Sequence, residues 1–116
     1  MTYQGEIYRL IGSIIKTVQY IECNLLIRLG VDTFEELTLG QINHIIKEHN
    51  VLHKTATDEL YSILHKRNDL VHTFFKRLDF EKHWDNPEFL KSQIEYLSTF
   101  FTQVTEFNNW LAALPF

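Results

Sequence analysis

The sequence predicts an all-α fold, an antiparallel four-helix bundle with short connecting loops, and three observations predict it. Only four Gly and two Pro occur in 116 residues, whereas Leu, Ile, Glu and Lys are common, a balance that suits long helices better than a sheet with many turns. Apolar residues recur at three- and four-residue steps over long stretches. Capping signatures stand where those stretches begin. With 45% apolar residues and nine Phe, residues 1–116 can fill the core of one domain. No repeat, low-complexity tract or long linker divides the chain.

The first helix runs from Tyr3 to about Leu29, with Ile7, Leu10, Ile11, Ile14, Val18, Ile21 and Leu25 on one face and Gly30 as the stop. The stretch 31–37 is a short connection with room for one turn opened by Thr33 and Glu36. Thr38-Leu39-Gly40-Gln41 has capping-box spacing, with Leu37 and Ile42 placed as a hydrophobic staple, so a shorter second helix extends to about His49 and ends at Asn50. Thr55-Ala56-Thr57-Asp58 offers a capped start for a third helix, marked by Leu60, Ile63, Leu64, Leu70, Val71, Phe74 and Leu78. Asp85-Asn86-Pro87-Glu88 puts Pro in a first turn behind a capping residue, and Leu90, Ile94, Leu97, Phe101, Val104 and Leu111 form the stripe of a fourth. Short connections imply antiparallel neighbours.

Composition narrows the function. A lone cysteine, Cys23, makes neither an intrachain disulfide nor a multi-cysteine zinc site, and it is read as a small packing residue. The N-terminus lacks a basic region followed by an apolar signal core, and about 18 uncharged apolar residues never run together, so the expectation is a soluble, cytoplasmic protein with no membrane role. A net charge of −4 argues against a broad phosphate-binding surface. Basic residues are concentrated locally: Lys66, Arg67, Lys76 and Arg77 gather around Asp69, and none follows Lys91.

Two charges fall on apolar faces. At about 100° per residue, Leu60, Leu64, Val71, Phe74 and Leu78 lie within about 60° of Arg67. Glu22 lies about 40° from Val18, on the inward side of the first helix. Burying either charge alone costs several kcal/mol, so the simplest expectation is that Glu22 and Arg67 pair across the bundle. The alternative is an arginine whose stem lies in the core and whose head reaches water. His72 lies about 140° from Arg67, with Asn68 and Tyr61 on its side. These three define a polar face that a second copy of the chain could meet, bringing two His72 side chains into one cleft.

The run Arg67-Asn68-Asp69-Leu70-Val71-His72 resembles the R-x4-6-H signature of the HEPN superfamily, with a polar residue directly after the arginine. The resemblance covers six residues as motif and most of the chain as architecture: an all-helical bundle with the motif on a late helix and an acidic residue, here Glu22, on an early one. It implies a metal-independent endoribonuclease of toxin or phage-defence type that needs no cofactor and works as a homodimer, the paired motifs forming one active site. The catalytic residues would be Arg67, His72 and Asn68, with Glu22 in a supporting ion pair and Lys66, Lys76 and Arg77 binding RNA phosphates. The residue types suit the chemistry, since imidazole moves protons near neutral pH and guanidinium stabilises phosphate charge without deprotonating. A protein antitoxin is a further implied partner. Toxins of the family paired with nucleotidyltransferase antitoxins often carry Tyr two residues after the His; Phe74 stands there, which weakens the case for that type of antitoxin.

Other patterns carry less. His65, Asp69 and His72 follow i, i+4, i+7 spacing, but the second half of a bundle metal site is missing. His49 and His53 straddle a helix end and read as surface residues. Trp84, Trp110 and Pro115-Phe116 read as core or edge packing, although they could serve an interface. The competing function is a non-catalytic helical module for dimerisation, partner binding or nucleotide binding that uses the same polar face.

Overall fold

A computed structural model describes residues 2–30, 39–48, 51–77 and 80–115, apart from the side chains of Leu39 and Arg77. Among the described residues all regular structure is helical: α1 (Tyr3–Arg28), α2 (Leu39–Glu48), α3 (Lys54–His72), α4 (Phe74–Arg77), α5 (Phe80–His83) and α6 (Pro87–Ala113).

Local chemistry sets the ends of α1. Thr2 caps it by accepting a hydrogen bond from the Gly5 amide at 3.0 Å, and Gly30 closes it at φ +72°, a conformation in which a side chain is strained. Ile7, Leu10, Ile14, Val18, Ile21, Leu25 and Leu26 are buried, with Ile11 packed at the edge. By length and by a mean hydropathy of 1.3 over 18 residues, α1 is long and apolar enough to cross a membrane. Here its apolar face lies in the core.

At the other end of the chain, Asn86 caps α6 by accepting from the Glu88 and Phe89 amides, and Pro87 occupies the first turn, where its missing N–H costs nothing. Leu90, Leu97, Val104 and Leu111 are buried as the periodicity predicts, and Ile94 and Phe101 pack at the edge. Phe100 and Phe107 complete the stripe.

Helices α1 and α6 form the most extensive pairing, and they run parallel. Gln4 donates to the Trp84 carbonyl at 2.8 Å and Lys91 sits over the Tyr3 ring, so both helices begin at one end. At the other end Arg28 donates to the carbonyl of Leu111 at 2.6 Å, which also accepts from the Leu114 amide, and to that of Leu114 at 2.7 Å, an acceptor that the end of α6 leaves open. The parallel pairing departs from the predicted antiparallel bundle. The physical reason lies in helix length: α2 has 10 residues and is too short to form a full leg. The return is made by α3 with α4 and α5, which brings the chain back beside the start of α1.

The third helix starts one residue before the predicted cap, because His53 is the cap and its Nδ1 accepts from the Ala56 amide at 3.2 Å. It also ends early. Instead of continuing to Leu78, it stops at His72, where the Thr73 hydroxyl donates to the Asp69 carboxylate at 2.5 Å and the Thr73 amide to the Asp69 carbonyl at 2.9 Å. A side chain bonding back to the last turn competes with helix continuation. Phe74 is then buried at 1% exposure, while Val71, projected onto the apolar stripe, is 49% exposed. Leu70 takes the inward position. The predicted connection 31–37, the cap Thr38, the Leu37 staple, Asn50, Leu78 and Phe116 lie outside the described residues.

Candidate functional site

The candidate residues lie on the second half of α3. Arg67 points inward as the projection predicts: it is half-buried, and its Nε is enclosed with no hydrogen-bond acceptor. Glu22, also half-buried, lies on α1 within reach of the Arg67 charge. Burial pushes the Glu22 carboxyl above its ordinary range, and the Arg67 charge offsets only part of that rise. The predicted ion pair is not made as a direct contact. Among the described residues, ion pairs within 4.0 Å join Arg9 to Glu6 and His44 to Glu48. Helix direction accounts for the gap. Tyr8 meets Phe75, and Arg28 lines a cavity with Leu52 and His53, so α1 and α3 run antiparallel. Glu22 therefore lies towards the Arg28 end, and Arg67 farther down α3.

On the outer side, Tyr61, His65, Asn68 and His72 are all exposed. Their spacing of four, three and four residues puts them on one strip of α3. Tyr61 and His65 form an edge-to-face pair with centroids 4.3 Å apart, which orients both rings. His72 is the last residue of α3, so its imidazole stands at the end of the strip. The strip is polar and accessible; Arg67 approaches the same stretch of helix from the inside. Asp69, spaced to join a metal site, instead accepts from Thr73. Among the described residues no three His, Cys, Asp or Glu side chains converge as a ligand set.

The basic residues separate. Lys66 turns to α6, donating to Gln103 Oε1 at 2.7 Å with its ammonium over the Phe100 ring. Lys76 is exposed at the rim of an aromatic groove. The Arg77 backbone is part of α4, and its side chain lies outside the described residues. Of the predicted phosphate-binding set, Lys76 is the residue that is described and open to solvent.

Several other residues have structural roles. Cys23 is a half-buried free thiol. Trp84 and Trp110 pack at the edge of the core. The aromatic groove formed by Tyr8, Phe75, Phe80 and Trp84 was not apparent from the sequence, because its rings come from three separate helices or their ends and no local spacing joins them.

No protein-family model, no curated protein and no solved structure matches this chain.

Proposed function

We propose that the protein is a metal-independent endoribonuclease of toxin or phage-defence type, acting in the cytoplasm as a homodimer through Arg67 and His72. The observation that carries this reading is the pairing on one helix of a half-buried, inward arginine, whose Nε is enclosed without an acceptor, with an exposed strip ending in His72. A second copy docked on the Tyr61-His65-Asn68-His72 strip would bring two His72 imidazoles together. One would take the proton from the RNA 2'-hydroxyl as its oxygen attacks phosphorus, and the other would protonate the departing 5'-oxygen. Arg67 supports the charge that develops on phosphate, directly or from behind the site, and Asn68 orients His72 or bonds a phosphate oxygen. Lys76 supplies phosphate attraction, with Arg77 as a further contributor; a protein antitoxin would restrain the activity.

The test is cleavage of RNA, with chelator present, by wild type, Arg67→Ala and His72→Ala, each first shown to be folded. Cleavage by wild type that falls by at least about 100-fold in both variants supports the proposal, since general acid–base groups contribute at that level. An inactive wild type, or equal activity in all three, removes it. The second reading is a non-catalytic dimerisation or partner-binding module, favoured by the exposure of Val71 and Phe75 beside the strip. A stable dimer without RNA cleavage would establish it instead.

A further inference from the structure

Near the start of α1, Tyr8, Phe75 and Trp84 surround a concave groove of about 440 Å3, with Phe80 as its floor and Lys76 and Glu81 at its rim. Tyr8 is 59% exposed and Phe75 39%, whereas Phe80 is 4% exposed. The rings are nonetheless held. Tyr8 lies 6.3 Å from Phe75 and 5.7 Å from Trp84, and Phe80 meets Phe75 at 4.8 Å and Trp84 at 5.9 Å. These contacts fix large, wet aromatic faces in place, so a ligand that stacks on them meets a preorganised surface.

The chemistry of the rim suits a nucleotide. A nucleobase offers a flat face for Tyr8 or Phe75, amino groups that the Glu81 carboxylate can accept from, and an attached phosphate for the Lys76 ammonium. A second copy of the chain would need about 800 Å2 on each partner, more than this six-residue groove offers by itself. Phe75 and Lys76 follow His72 by three and four residues, which sets the groove next to the strip.

We propose that this groove is a subsite for an unpaired base of single-stranded RNA, stacked on Tyr8 and Phe75 with its phosphate held by Lys76. The inference takes its ligand class from the ribonuclease reading, but its test is independent of cleavage. The full chain carrying His72→Ala, so that RNA stays intact, is titrated against a short fluorescein-labelled single-stranded oligoribonucleotide and against its duplex, with binding read by anisotropy. The single strand should bind more tightly than the duplex. Tyr8→Ala should weaken it roughly 5- to 150-fold, the range for loss of one stacked base, and Tyr8→Phe, which keeps the ring, should restore it. Lys76→Ala should weaken binding and flatten its salt dependence. Absence of binding, equal affinity for duplex, or an unchanged Tyr8→Ala would overturn the subsite. So would a change of oligomeric state in Tyr8→Ala by sedimentation, which would assign the face to a second copy. Tyr8-dependent binding by a chain whose wild type cuts no RNA removes the ribonuclease reading alone; cleavage that persists with Tyr8-independent binding removes the subsite alone.

Discussion

Replacing Arg67 with Met keeps the unbranched stem in the core and removes the guanidinium. Two opposing effects set the outcome. Arg67 Nε is enclosed without an acceptor, and a buried donor left unsatisfied costs about 1–3 kcal/mol, which the substitution relieves. Against this stands the lost attraction to Glu22. Two unit charges 4 Å apart attract by about 4 kcal/mol at an effective dielectric of 20, and the attraction falls with distance. Glu22 and Arg67 stand beyond 4.0 Å, and the net shift of the Glu22 carboxyl is upward, so the attraction is smaller than the cost of desolvating Glu22. Arg67→Met should therefore lie within about 1 kcal/mol of wild type at pH 7, and the balance should move towards stabilisation as acid neutralises Glu22. Urea unfolding at pH 7 and pH 5, with Glu22→Gln and the double variant completing a cycle, measures this. A loss of about 3–5 kcal/mol at pH 7 with strong coupling to Glu22 is the signature of a broken buried ion pair and would refute the reasoning.

Glu22→Gln removes a carboxyl whose folded pKa is raised. In wild type the native state binds more protons than the unfolded chain between the two pKa values, so stability falls as pH rises through that window. The variant should lose this slope and gain on wild type above it, read as Tm against pH. Glu6 has the opposite sign: its hydrogen bond to Arg9 holds the carboxyl below the ordinary range, so Arg9→Gln should remove a contribution that wild type loses only as pH falls into the acid range. Asn86→Ala strips the cap that accepts from two amides of α6 and should cost about 1 kcal/mol by chemical unfolding. Phe74→Ala empties a site 1% exposed and should cost about 3–5 kcal/mol, with retention of full stability contradicting the burial of Phe74.

The extents of α1 and α6 were legible because their signals are local: Gly30 at the end of one, Asn86-Pro87 at the start of the other, and an unbroken 3.6-residue period in each. The break at Thr73 was not, since Phe74 and Leu78 preserve the period of α3 and the Asp69–Thr73 bonds depend on side-chain geometry. Parallel packing of α1 with α6 was equally hidden, because a buried face records an angle around the helix and says nothing of direction. The same limit applies at the site. Projection turned Arg67 and Glu22 inward, but it carries no height along the helices, and the two make no ion pair within 4.0 Å. The outward face of Asn68 and His72 was read from angle alone, where angle suffices. The turn of Lys66 towards Gln103 depends on α6 and has no signature in its own helix.

If His72 moves protons in RNA cleavage driven by the 2'-hydroxyl, product chemistry shows it most directly. RNA incubated with the wild-type chain in chelator should carry 2',3'-cyclic phosphate ends by mass spectrometry, and His72→Ala, shown to be folded, should yield none. Absence of cleavage by wild type, ends bearing a 3'-hydroxyl, or cyclic ends produced equally by both proteins would contradict the account.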